Sequence, residues 1–181
     1  MCDSTMSNFE IKKCTDKDIE TVGAFYEDTV RIMNETNTNY PMWWSGYPCT
    51  QSVKEATASG TQYFCILDGK ICGAFVINDE PGGAYEKGDW KVDLNSGDYL
   101  VIHTLAVNQR MKGRGIGSRM VRYCIDYAKA SGYKAVRVDV VPTNIPASKL
   151  YEKHGFVFAG ERDLERGIAH IPTFLLYELN F

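Results

Sequence analysis

The sequence predicts a single α/β (α+β) domain in which helices flank one mixed sheet, and three observations carry this. The elements read along the chain run β-α-α-β-β-β-α-β-α-β-β, enough strands for one sheet and enough helices to cover it. Two β-rich runs, "TQYFCIL" and "KICGAFVIN", are separated by Asp68-Gly69, the strongest short hairpin signal. An antiparallel hairpin in the middle of the chain argues against a doubly wound nucleotide fold. "YLVIHTLAV" is apolar on both faces and therefore reads as a central strand.

Each element has its own local cause. "NFEIKKCT" alternates apolar and polar residues and reads as the first strand. Thr15 and Asp16 offer N-caps for a helix through "DIETVGAFYEDTVRIM", which gathers Ile19, Val22, Phe25 and Tyr26 on one side. "NETNTNYPMWWSGYP" reads as a loop unusually rich in aromatics, and "SVKEATAS" as a short helix closed by Gly60. After the hairpin, residues 79–98 form a long loop with Asp79, Glu80, Glu86, Asp89, Asp93 and Asp98 against only Lys87 and Lys91. Beyond the central strand comes "KGRGIGSRM", then a helix with Met120, Cys124 and Tyr127 at one spacing and Val121, Ile125 and Ala128 beside them, closed by Gly132. "KAVRVDVV" is a fifth strand, and "NIPASKLYEKHGF" a helix with Pro146 in its first turn and Gly155 at its end. "FVFAG" and "FLLYELNF" supply the last strands.

Composition bounds the function. At 181 residues the chain suffices for one domain, 1–181, with a proper core. A formal net charge of −3 argues against nucleic acid as a partner. Six scattered cysteines, without a C-x-x-C pair, read as reduced thiols in a cytoplasmic protein. "MCDSTMSNFE" lacks the basic-then-apolar pattern of a signal peptide, and no apolar run is long enough for a membrane span. The three histidines are far apart and no carboxylate–histidine spacing repeats, so no metal is expected.

The glycine stretch carries the functional signal. A helix N-terminus presents free N–H groups and a partial positive charge, and glycine lets an anion approach the backbone. Gly113, Gly115 and Gly117 fall between the central strand and an amphipathic helix, amid Arg110, Lys112, Arg114, Arg119 and Arg122. A flexible turn with a solvated basic face has the same composition. The stretch lacks the G-K-[ST] of a Walker motif and the G-x-G-x-x-G dinucleotide spacing, which leaves a pyrophosphate held mainly by backbone amides.

"HTLAVNQRMKGRGIGSRMV" followed by "NIPASKLYEKHGF" resembles the GCN5-related N-acetyltransferase (GNAT) superfamily. That family's phosphate loop is written [QR]-x-x-G-x-[GA], and the best frame here is Lys112-x-x-Gly115-x-Gly117, with lysine in first place. Arg110-x-x-Gly113-x-Gly115 also fits but lies early relative to the helix. The second motif, N-x-x-A-x-x-L-Y-x-x-x-G-F, matches at Asn144, Ala147, Leu150, Tyr151, Gly155 and Phe156. The resemblance implies a mostly antiparallel six- to seven-stranded sheet with about four helices, splayed between strands four and five. It also implies acetyl-CoA as co-substrate and acetyl transfer to a primary amine in a ternary complex. No covalent intermediate is implied, and a dimer is common among such small enzymes.

Residue by residue, the resemblance places the pyrophosphate on the amides of Lys112, Gly113, Arg114, Gly115, Ile116, Gly117 and Ser118. It places the pantetheine arm and acetyl oxygen against the backbone of Leu105, Ala106 and Val107. Asn144 would bond the pantetheine or thioester end, and Tyr151 would be the general acid at the cofactor sulfur. Many members carry a glutamate where this chain has Val101, which leaves His103 as the candidate base. Arylalkylamine acetyltransferases resemble this segment and have histidine in the same place. Simple alternation puts His103 on one face with Val101 and Leu105. A buried structural histidine is the competing reading. His154 reads as a helix-end cation and His170 as a loop residue. For the acceptor, Trp43, Trp44, Tyr47 and Tyr85 are candidate walls and the acidic loop a lure for a cationic amine, small or peptidic. Transfer of a larger acyl group and a non-catalytic coenzyme A sensor remain as rivals.

Overall fold

The computed structural model describes residues 8–36, 43 and 46–181. The elements follow the predicted order: β1 (Phe9–Lys13), α1 (Ile19–Thr36), α2 (Thr50–Ala58), β2 (Gln62–Leu67), β3 (Lys70–Asn78), β4 (Tyr99–Val107), α3 (Ile116–Ala130), β5 (Ala135–Val140), α4 (Ile145–Lys153), β6 (Val157–Arg162) and β7 (Phe174–Asn180). They build one seven-stranded sheet in the order β1-β2-β3-β4-β5-β7-β6. All neighbours are antiparallel except β4 and β5. The β2–β3 hairpin turns on Asp68 (φ +50°) and Gly69 (φ +78°), the two left-handed residues that its tight turn requires. Asp18, rather than Thr15 or Asp16, precedes α1, and its carboxylate accepts from the Thr15 N–H (2.9 Å) and hydroxyl (2.6 Å).

The two faces of the sheet bury different things. On one face Ile116, Met120, Val121, Cys124, Ile125 and Ala128 of α3, with Tyr151 of α4, pack on Leu100, Ile102, Val136, Val138 and Val140. On the other, Val22 and Tyr26 of α1 and Val53 of α2 pack on Phe64, Ala74 and Ala106. Further along that second face, Tyr99, Val101 and Ala135 meet Phe174 of β7 and Tyr85, Leu164 and Ile171 from the loops. The five described cysteines are all free thiols, and no described helix is long and apolar enough to cross a membrane.

The parallel pair β4–β5 positions everything that follows. Its pairing runs through Tyr99–Ala135, Leu100–Val136 and Val101–Arg137 and then stops. Beyond Val101 the two central strands part, leaving a cleft through the sheet.

Candidate active site

A bulge in β4 shapes one wall of the cleft. Ala106 pairs with Ala74 and His103 with Val76, so Thr104 and Leu105 together stand opposite the single residue Phe75. Thr104 takes φ +47°, a left-handed conformation that a β-branched residue rarely adopts. The extra residue reverses the alternation of side chains. His103 stays on the face of Val101, but Leu105 turns to the opposite face and packs with Ile102 and Val107 against α3 and α4. The expected common face of His103 and Leu105 is thus corrected, because alternation holds only while the ladder is regular. Leu105, Ala106 and Val107 all line a cavity of about 390 Å³, on a strand edge that β5 no longer pairs.

The glycine stretch closes the same cavity. Gly115 is the residue before α3, at φ +72°, and Gly113 lies at φ +80°, so both take a conformation that favours glycine. Among the described residues, none of the N–H groups from 112 to 118 finds an acceptor within the chain. Lys112, Gly113, Arg114, Gly115, Ile116, Gly117 and Ser118 all line the cavity. A row of unpartnered amides at a helix N-terminus fits a pyrophosphate. The cations contribute less than the sequence suggests: Arg110 pairs with Asp28 (2.5 Å), and the Arg119 guanidinium stacks on Phe9 (4.8 Å). Gly117 serves packing, since a Cβ there would stand 3.1 Å from Leu150 of α4.

A second cavity, of about 270 Å³, opens where β4 and β5 part, and Trp43, Leu105, Asn144 and Ala147 border both. Asn144 caps α4, its Oδ1 accepting from Ala147 N–H at 3.3 Å, which leaves its amide nitrogen for a ligand. Tyr151 is buried, its ring edge-on to Phe156 at 5.3 Å, and no hydrogen bond to its hydroxyl is found among the described residues. Burial, then the charges of Cys124 and Asp139, push the phenol well above its ordinary range. His103 Nε2 lies 2.8 Å from Asn78 Oδ1, which also accepts from Glu80 N–H (3.1 Å). Nε2 therefore carries the proton of the neutral ring and Nδ1 the lone pair. Burial holds His103 below its ordinary value, with Arg166 adding to the effect and Asp139 and the Glu80 backbone opposing it.

Three residues at this site were not singled out from the sequence. Asp139 accepts from both Arg166 terminal nitrogens (2.7 and 2.9 Å) and from the Tyr85 hydroxyl (2.5 Å). Arg166 also donates to Gly82 O at 2.7 Å and stacks on Phe174. Asn78 orients His103. Tyr85 is corrected. It lines none of these cavities, is 1% exposed, and holds Asp139 from beneath. Trp43 and Tyr47 do line the cavity, whereas Trp44 lies outside the described residues.

A third cavity, of about 470 Å³, meets the second at Tyr47, His103 and Thr104. Glu55, Asp79 and Glu80 line it, and no lysine or arginine does. Two other carboxylates of the acidic loop pair elsewhere: Asp89 with Arg162 (2.6 Å) and Asp98 with Lys134 (2.7 Å).

Comparison with known proteins gives the family and the fold. The profile of the acetyltransferase (GNAT) family matches residues 29–156. Spermine/spermidine N(1)-acetyltransferase of Bacillus subtilis is 28% identical over 55% of this chain and 70% of its own length. Streptothricin acetyltransferase of Escherichia coli is 26% identical over 51% of this chain and 50% of its own. An uncharacterized N-acetyltransferase of Methanocaldococcus jannaschii is 30% identical over 52% of this chain, and the match spans only 38% of that relative. Among solved structures, a GNAT-family acetyltransferase of Streptococcus agalactiae superposes with a TM-score of 0.75 at 18% identity, covering 96% of this chain and 95% of that one.

Proposed function

The chain belongs to the acetyltransferase (GNAT) family, which uses acetyl-CoA, and we propose that it transfers the acetyl group to a small cationic primary amine by direct attack in a ternary complex. One observation carries this reading: an amide-lined anion seat and a pocket holding an imidazole and a phenol meet at Leu105 and Asn144. Acetyl-CoA supplies an acyl group on a thiol leaving group. The amides from 112 to 118 hold its pyrophosphate, and the free edge of Leu105–Val107 takes the pantetheine and directs an N–H at the acyl oxygen. His103 Nδ1 removes a proton from the incoming ammonium, and the Tyr151 hydroxyl gives one to the departing sulfur. Glu55, Asp79 and Glu80 favour a cationic acceptor, and the B. subtilis and E. coli relatives are named for spermine, spermidine and streptothricin.

Thermal unfolding tests the cofactor first. Acetyl-CoA and CoA at one hundred times their dissociation constant should each stabilise the protein by about 2.7 kcal/mol, while ATP and NAD should not. A shift with neither thioester nor thiol removes the assignment.

The pH profile tests the base. The lowered pKa of His103 means that its ring stays neutral, and able to accept a proton, as pH falls through the ordinary value of about 6.5. With saturating amine, kcat is therefore flat through that point and declines only at lower pH. His103→Ala should lower kcat and abolish that acid limb. An identical limb in the variant assigns the base elsewhere.

A further inference from the structure

We infer that Tyr26 and Gln62, neither of which touches the reacting groups, are the positioning residues that hold the β4 bulge in its active shape. A bulge interrupts a ladder and leaves buried backbone carbonyls without strand partners, each costly unless another donor is found. Here the carbonyl of the bulged Thr104 is caught by a side chain from outside β4, and a second side chain braces the β2–β3 rung opposite it. The Tyr26 hydroxyl of α1 donates to Thr104 O at 3.0 Å and lies 3.3 Å from Thr104 Oγ1. The Gln62 amide of β2 donates to Phe75 O, the residue opposite the bulge, at 3.0 Å, and to Tyr63 O at 3.0 Å. The two side chains also meet, Gln62 Nε2 lying 3.4 Å from Tyr26 Oη. Both residues are 1% exposed, and both border the third cavity.

The clamp matters because of where the bulge lies. Thr104 sits between His103, on one face, and Leu105, on the other, and its strained φ of +47° persists only if its surroundings enforce it. Relaxing Thr104 toward regular β geometry would return Leu105 toward the face of His103 and swing the Leu105 N–H away from the acyl oxygen. The phosphate seat at 112–118 lies beyond the bulge and is not part of the clamp.

This inference rests on the reading of Leu105–Val107 as the acyl-binding edge, so acetyl-CoA-dependent turnover by the unaltered protein is the first measurement. Its absence sinks that reading. With turnover established, Tyr26→Phe should lower kcat about tenfold, as expected for misplaced reacting groups, and leave CoA affinity within about twofold. The effect should disappear in a Thr104→Gly background, because glycine takes φ +47° without a clamp. It should persist in Thr104→Val, which loses the hydroxyl but keeps the β-branched strain. Gln62→Met should repeat the pattern. The four double variants make each comparison a difference within one background, so a general loss of stability cancels. Equal kcat ratios in the threonine, glycine and valine backgrounds would make Tyr26 a merely structural residue. A kcat for Tyr26→Phe within twofold of the unaltered protein would overturn the inference as well.

Discussion

Replacing Tyr151 by phenylalanine lowers kcat by about 10²- to 10⁴-fold while leaving CoA affinity unchanged, the signature of a lost proton donor. The ring remains in place, since its packing on Phe156 and the α3 core does not involve the oxygen. Only the hydroxyl is removed, and no described residue depends on it for a hydrogen bond. Burial, with the charge of Asp139 adding to it, holds the proton on that oxygen at neutral pH. The same burial keeps bulk water from taking over its task. Steady-state kinetics with titration of CoA by calorimetry separates the readings. Near-normal turnover would move the acid role to another group. An unaltered protein that binds CoA and turns over no amine would be a sensor.

Local chemistry was legible in the sequence and long-range chemistry was not. Strands β3 and β4 were read at their observed bounds because their β-rich apolar runs and the Asp68-Gly69 turn are decided within a few residues. The glycine turn before α3 was legible for the same reason, since positive φ at Gly113 and Gly115 is a property of those residues. The reversal of faces at Thr104 was not legible, because the donors that maintain it are far away in the chain, Tyr26 by 78 positions. Nor was Asp139 as a site residue: Arg166 reaches it from 27 positions downstream and Tyr85 from 54 upstream. A tyrosine in a polar loop looks like a pocket wall until the fold shows it lying beneath the pocket floor. The cations near the glycines misled in the opposite sense, since Asp28 and Phe9 occupy two of them.

The largest expected effect on stability lies at the last rung before the cleft, where β5 still pairs with Val101 of β4. Arg137 is 2% exposed, its guanidinium sandwiched between Trp90 (4.0 Å) and Tyr99 (4.1 Å). It donates to Val92 O at 2.9 Å and stands 3.9 Å from the carboxylate of Glu178, which is itself 1% exposed. Glu178 in turn accepts from Lys91 N–H at 2.7 Å, so the pair ties the loop through Trp90 and Val92 to the sheet. Burial alone lowers the Arg137 pKa, opposed by Tyr99, Glu178 and Tyr85, yet a guanidinium stays charged at any pH of interest. Removing it leaves one carboxylate buried without a cation. Arg137→Met should therefore destabilise the protein by about 3–5 kcal/mol, seen as a fall in Tm of roughly 10 °C. Glu178→Gln in the same chain keeps the acceptor for Lys91 but discards the charge, so the double variant should regain much of the loss. A double variant as unstable as the single one would place the cost in the emptied sandwich between Trp90 and Tyr99. The loop's anchor would then be the stacked guanidinium plane, with the ion pair incidental to it.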